Sequence, residues 1–181
     1  DGGISYFNPK TETFYTYNNK NAWLIDENGS RKKMPGYSVK TIIEDRNGDL
    51  LIGTWSSGLM RFRRGGNTFY RYPQLNATNS AYSLFLDKHN HLWVGTWGYG
   101  VVRLDNPGNV RQPEMHQYPY STSHFDTFYK IVHDPVTKTL WACTREGVCY
   151  LEEDMPNAEW KGFTSIGNNP LNFNNDIATD G

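Results

Sequence analysis

The sequence predicts an all-β protein assembled from a repeated antiparallel meander of four short strands, and three observations predict it. A unit of eighteen residues is written twice, as Asp45–Phe62 and Asp87–Leu104, and a third time in eroded form as Asp134–Leu151. The runs Val39–Glu44, Ala81–Leu86 and Phe128–His133 carry apolar residues on both faces of an extended segment, as a strand buried between neighbouring sheets does. Turn residues then punctuate the runs at fixed offsets. Asn47-Gly48 is a hairpin signal, and Ser57-Gly58, Tyr99-Gly100 and Glu146-Gly147 are expected to supply positive-φ positions between the second and third strands. Four antiparallel strands recurring at about 40 to 50 residues describe the blades of a β-propeller.

The elements follow in order. Residues 1–17 read as a partial blade, with the third strand at Gly2–Phe7, a turn at Asn8–Thr11 and the fourth strand at Thr13–Tyr17. Residues 18–37 read as an inserted hairpin, Trp23–Asp26 and Arg31–Met34 about the turn Glu27–Ser30, closed by Pro35-Gly36. It lengthens the first spacing: Gly3 to Gly58 is 55 residues, against 42 from Gly58 to Gly100 and 47 from Gly100 to Gly147. An insertion of that kind is expected to protrude from the ring or cap it. Residues 38–72, 80–118 and 124–164 read as complete blades, and 175–181 as the first strand of a further one. The polar stretches Pro73–Asn79, Pro119–Ser123 and Ser165–Asn175 link them. Arg64–Asn67, Asn106–Asn109 and Met155–Ala158 turn the chain into aromatic-rich fourth strands such as Thr68–Tyr72. The total is about four blades' worth of chain at this period.

The pattern Asp-x-x-Gly-x-Leu-Trp-Ile-Gly-Thr-x-x-Gly-Gly-Leu-x-Arg-Phe, seen at Asp45–Phe62 and Asp87–Leu104, resembles the two-component regulator propeller repeat. The third copy departs from it, with Pro135–Lys138 in place of the glycine turn and Cys143 in place of the glycine before threonine. Such repeats form the periplasmic sensor half of hybrid two-component system proteins of gut Bacteroidetes. The resemblance therefore implies a fragment of a seven-bladed propeller in the periplasmic sensor part of an inner-membrane protein. It also implies that the parent binds a carbohydrate and signals to a cytoplasmic histidine kinase. A protein-interaction scaffold and a propeller glycan hydrolase or lyase are the alternative readings.

Composition agrees with a neutral ligand. The formal net charge is -1 and the pI about 6.6, which gives no electrostatic reason to expect nucleic acid. Aromatic residues make up 15% of the chain, more than a core of this size requires. An oligosaccharide or another small molecule is the expected partner. The segment is expected to meet a membrane only through parts of the parent outside it, and a homodimer is left open. The chain contains no run of about 18 apolar residues. Cys143 and Cys149 flank one hairpin turn; they read either as facing partners open to oxidation or as two small buried residues.

Candidate site residues follow from the direction of the strands. In a meander, the turn between strands two and three shares a rim with the link from one blade to the next. That places Trp55, Trp97, Tyr99 and Arg145 on one rim, together with linkers carrying Asn76, His124, Asn168 and Asn169. The tryptophans occupy equivalent positions of successive repeats, where flat rings could stack on sugar faces while Arg and Asn bond hydroxyls; wedges between blades are the competing reading. Trp93 and Trp141, where Leu51 stands in the first copy, read as core. Asp45-x-Asn47-x-Asp49 resembles the start of a calcium loop, but position twelve would be Ser56 where a bidentate Glu is wanted, and a turn is the better reading. Asp87, His89 and His91 read as solvated turn residues before a transition-metal cluster. Glu152, Glu153 and Asp154 read as a solvated acidic face before a glycosidase pair. No catalytic residue, metal or cofactor is assigned.

Overall fold

A computed structural model describes residues 3–26, 28–75, 80–118, 127–152, 158–171 and 176–178. Among them the regular structure is β throughout, apart from one 3-10 turn at Pro73–Leu75. The chain divides into two compact units, residues 1–81 with 109–112 and residues 82–108 with 113–181.

In the first unit, β1 (Ile4–Asn8) and β2 (Thr13–Tyr17) form a two-stranded antiparallel ribbon with Ile4 opposite Tyr17. The inserted hairpin is β3 (Trp23–Ile25) and β4 (Arg31–Lys33). A full meander follows as β5 (Ser38–Glu44), β6 (Leu50–Trp55), β7 (Gly58–Phe62) and β8 (Thr68–Arg71). The insertion extends this sheet instead of protruding from it. β3 pairs in parallel with β8, Leu24 opposite Phe69, giving the six-stranded order β4-β3-β8-β7-β6-β5. Burial explains the pairing: Ala22, Leu24 and Met34 are fully buried and join Ile52, Met60, Phe62 and Phe69 in one core. Tyr17 brings the β1–β2 ribbon onto that core, its ring 4.8 Å from Phe62 and 5.9 Å from Phe69. β5 is less enclosed than its sequence predicts. It is a terminal strand, and Ser38, Lys40, Ile42 and Glu44 are exposed while Val39, Thr41 and Ile43 are half-buried.

The second unit holds two meanders of four strands. The first is β9 (Ala81–Leu86, entering the unit at Tyr82), β10 (Leu92–Thr96), β11 (Val101–Leu104) and β12 (Met115–Tyr118). The second is β13 (Phe128–Asp134), β14 (Thr139–Thr144), β15 (Val148–Glu152) and β16 (Lys161–Phe163). They share a core of Trp93, Val101, Phe128, Ile131, Leu140, Ala142, Cys149, Leu151 and Trp160. Trp93 is 3% exposed, as a core residue should be. Trp141 departs from the core reading: it is half-buried and its ring lies 5.2 Å from that of Tyr150, its cross-strand partner. Gly95 lets the two sheets approach closely, since a Cβ there would lie 2.9 Å from both the carbonyl oxygen and Cβ of Phe128. The stretch read as a polar linker contains a small hairpin, β17 (Ser165–Ile166) and β18 (Asn169–Pro170). Residues 176–178, the described part of the expected further strand, carry no strand.

Two side-chain devices recur in every repeat. At the first hairpin an aspartate caps the turn with its own carboxylate: Asp45 Oδ1 accepts from the backbone N–H of Asn47 (2.8 Å) and Asp49 (2.9 Å). Asp87 does the same for His89 (2.9 Å) and His91 (2.8 Å), and Asp134 for Val136 (2.9 Å) and Thr137 (3.3 Å). Asn90 with φ +70° takes the left-handed place that Gly48 holds with φ +81°. At the second turn a buried threonine hydroxyl donates to the carbonyl of the glycine that opens the third strand: Thr54 to Gly58 (2.8 Å), Thr96 to Gly100 (2.7 Å), Thr144 to Gly147 (2.9 Å). Gly58 and Gly100 have positive φ. Gly147 does not, correcting the expectation for Glu146-Gly147. That turn is one residue shorter, and its glycine is needed because a Cβ would collide with the Phe163 carbonyl.

Arg61, 4% exposed, ties the first repeat together: its Nε donates to Asp49 Oδ2 (3.0 Å) and one terminal nitrogen to Asp45 Oδ2 (2.8 Å). Burial pushes the neighbouring Tyr72 hydroxyl well above its ordinary pKa, so it stays protonated. Removing Arg61 alone strands two carboxylates in a water-poor site. Arg61→Met is therefore expected to cost about 3–5 kcal/mol in urea unfolding, with much of the loss recovered when Asp45→Asn and Asp49→Asn are added.

The cysteines lie on adjacent strands one register step apart: Cys143 pairs with Val148, and Cys149 with Ala142. Opposed residues share a face and successive residues alternate, so the two thiols point to opposite faces of the sheet and do not face one another. Both are buried and free, with burial pushing Cys143 up to about 11 and Cys149 well above its ordinary value. Under non-denaturing oxidising conditions the mass should match two free thiols, and a thiol reagent should label them only after unfolding; a loss of two protons on oxidation would contradict the register.

Asp87 carries a pH signature. Burial alone would raise its pKa, but the His91 backbone N–H, the Trp93 indole N–H and the His91 ring hold it below the ordinary aspartate value. A depressed folded-state pKa contributes stability that is fully present above the unfolded value of about 3.9 and is lost as pH falls through the folded one. Wild-type protein should thus lose stability below about pH 4 more steeply than Asp87→Asn in denaturant titrations between pH 7 and 3; parallel slopes would remove Asp87 from the acid response.

Candidate functional site

The residue after each Gly-Thr or Cys-Thr pair stands at the tip of a sheet, and in the first and third repeats a bulge in the first strand lies beside it. In the first unit Ser38 pairs with Trp55 and Val39 with Thr54, but Thr41 pairs with Gly53, leaving Lys40 as an extra residue. In β13 Phe128 pairs with Thr144 and Lys130 with Cys143, leaving Tyr129 extra. An extra residue in one strand re-aims its side chain. Lys40 Nζ lies over the Trp55 ring, 5.6 Å from its centroid.

In the second unit the same geometry builds an aromatic cluster. Trp97 bridges to Thr127, and its ring lies 5.6 Å from Tyr82 and 6.4 Å edge-on from Tyr129; Tyr82 and Tyr129 are 5.6 Å apart. Trp97 is 39% exposed while both tyrosines are half-buried, so the pair supports one ring that still presents surface to solvent. Burial raises the Tyr82 pKa, with Tyr129 adding to the effect, so its hydroxyl remains a neutral donor. A supported, half-exposed indole with phenol hydroxyls nearby suits a ligand with one apolar face and a polar edge.

The other expected site residues occupy separate elements. Trp55, also 39% exposed, belongs to the first unit. Tyr99 lies half-buried in its turn, where its carbonyl accepts from Gln117 Nε2 at 3.4 Å. Arg145 Nε pairs with the adjacent Glu146 at 3.3 Å. Asn168 and Asn169 are exposed on the β17–β18 hairpin. Asn76, His124, Glu153 and Asp154 lie outside the described residues.

Tyr82 and Tyr129 are the residues that sequence reasoning missed. Their signal was the repeat itself: Lys40, Tyr82 and Tyr129 are separated by the same 42 and 47 residues as the glycines of the second turns. Reading the first strands as core concealed it.

The acids of the metal-like groupings have protein partners. The acids of the Asp45-x-Asn47-x-Asp49 loop are engaged by turn N–H groups and by Arg61, so a guanidinium fills the cation's place. Asp87 Oδ2 takes the His91 ring (2.9 Å) and the Trp93 indole (3.1 Å), and His89 stands 5.8 Å from His91 ring to ring. Asp105, Glu114 and His116 bring three ligand-type atoms within 4.8 Å of one another. Arg103 already grips both Asp105 oxygens at 2.6 and 3.0 Å, and His116 Nε2 adds a contact at 2.9 Å. Burial would raise the Asp105 pKa, but Arg103 holds it below the usual range. A carboxylate so neutralised is an ion-pair partner before it is a metal ligand.

Comparisons with known proteins agree with this architecture. No curated protein matches the sequence. Among solved structures, the extracellular domain of BT4673 from B. thetaiotaomicron, described in one case as a one component and in another as a hybrid two component system, superposes with TM-score 0.69. The identities are 17% and 18%, over 97% of this chain and 22% of the other. PorZ, a surface component of the type-IX secretion system of Porphyromonas gingivalis, superposes with TM-score 0.58 at 16% identity, over 90% of this chain and 25% of its own. These likenesses are of fold, and the chain spans about a fifth to a quarter of the length of the structures it matches. Residues 33–56 and 76–98, which include the first two strands of successive repeats, match the two component regulator propeller family, and the fold around them is that of a partial β-propeller.

Proposed function

We propose that this segment belongs to the ligand-reading propeller of an extracytoplasmic sensor and that it reads an oligosaccharide. The observation that carries the reading is the cluster Tyr82–Trp97–Tyr129, in which a half-exposed indole is backed by two tyrosines at the tip of a repeat. The near-neutral net charge of -1 suits an uncharged polyol. The propeller repeat and the fold shared with an extracellular domain support an outward-facing location, the periplasm in a Gram-negative cell. In this reading the sensor hands its signal to a cytoplasmic histidine kinase in the parent protein. Trp55, Tyr99, Arg145, Asn168 and Asn169 stay in the proposal as secondary contacts.

Stacking on one ring contributes modestly. Titration with a panel of neutral oligosaccharides should give one binder whose affinity falls about 5- to 30-fold in Trp97→Ala, about 1–2 kcal/mol, and further when Tyr129→Ala is added. Unchanged affinity with a melting temperature lowered by several degrees would make these rings packing wedges and overturn the reading.

A further inference from the structure

We propose that the open edge of β4 docks an extended acidic segment of a partner protein by strand addition. β4 ends the six-stranded sheet, and its three residues, Arg31, Lys32 and Lys33, are all exposed. The register fixes which backbone groups face outward. Met34 N–H donates to the Ala22 carbonyl (3.1 Å) and Asp26 N–H to the Ser30 carbonyl (3.1 Å), so Leu24 and Lys32, midway between, form the inward-bonded pair. The N–H and C=O of Arg31 and Lys33 then point away from β3, two residues apart, which is the spacing at which an incoming strand makes its bonds.

Edge lysines commonly block such pairing. Here two of the three cations are drawn off the edge. The Arg31 guanidinium lies 4.2 Å and the Lys33 ammonium 4.0 Å from the centroid of the Trp23 ring, so both side chains lie along the face of the sheet. Lys33 Nζ also donates to the Lys20 carbonyl at 3.2 Å. Lys32, on the other face, pairs loosely with Asp26 at 3.5 Å. The edge is thus sterically open and flanked by positive charge, and opposite charges across a strand pair attract while like charges repel. A basic strand is disfavoured there, and one with acids at alternate positions is matched. The hairpin 18–37 has no counterpart in the other repeats, which makes this edge peculiar to the first unit.

The probe is a fluorescein-labelled decapeptide alternating Glu with Val and Thr, titrated into the 181-residue chain by anisotropy. Controls are the same peptide with Lys for Glu, poly-glutamate, and heparin. The acidic strand peptide is expected to bind, the Lys version not, and poly-glutamate and heparin at least tenfold more weakly. Arg31→Glu with Lys33→Glu should abolish binding. Lys33→Gln removes one charge, whereas Lys33→Pro removes that charge and the outward N–H; proline is tolerated where an edge N–H faces solvent. Binding should fall at least fivefold more in Lys33→Pro than in Lys33→Gln, with both variants melting within a few degrees of wild type. If Lys33→Pro unfolds the chain, a probe N-methylated at alternate residues serves instead and should bind at least tenfold more weakly. Equal binding of heparin or poly-glutamate, equal effects of Gln and Pro, an unaffected N-methylated probe, or no peptide binding would each overturn the proposal.

Discussion

A threonine hydroxyl bonded to the carbonyl of a glycine three or four residues on sets the geometry of each repeat. Thr54, Thr96 and Thr144 are fully buried, so an unmade bond there would leave a polar group without water or partner. The bond closes the turn between the second and third strands, and the turn sets the strand register. Register in turn decides which residues face the core and which stand at the tip. Trp55, Trp97 and Arg145 follow these threonines directly, so the candidate surface inherits its position from a buried hydrogen bond.

The aspartate turn anchors the opposite end of the same strands and shows how one backbone motif accepts different chemistry. Asp45, Asp87 and Asp134 all cap the turn, but their second oxygens are used differently. Asp45 holds a buried arginine, Asp87 a histidine and an indole, and Asp134 the hydroxyl of Thr137 at 2.6 Å. In the second repeat Arg103, the counterpart of Arg61, turns to Asp105 instead. The turn is therefore specified by one carboxylate oxygen, and the other is free to vary with whichever side chain is within reach.

Much of the architecture was legible because it rests on local chemistry. Asn47-Gly48, the Gly-Thr pairs and the aromatic fourth strands each announce a strand or turn through residue type and spacing, and the repeat multiplied the signal. What escaped was set by tertiary pairing. Nothing in Trp23–Ile25 shows that it lies parallel to Thr68–Arg71; only the need to bury Leu24 decides it. The cysteine hairpin was visible, but the single register step that separates the thiols depends on a turn one residue shorter than its relatives. The exposure of β5 was hidden because an apolar run looks the same at the end of a sheet as in its middle. Of the candidate surface, Trp97 was legible as a rim residue, and its two tyrosine supports were not.

The bulges at Lys40 and Tyr129 have an evolutionary consequence. An extra residue in a strand belongs to neither face of its sheet, so it can be exchanged without disturbing the alternation that fills the core on either side. The first repeat carries a lysine there and the third a tyrosine, although the strands around them keep the same pairing. Divergence at such a position leaves the strand pairing around it unchanged. One chain can therefore display a different side chain at each tip while the threonine and aspartate turns beneath stay the same from repeat to repeat.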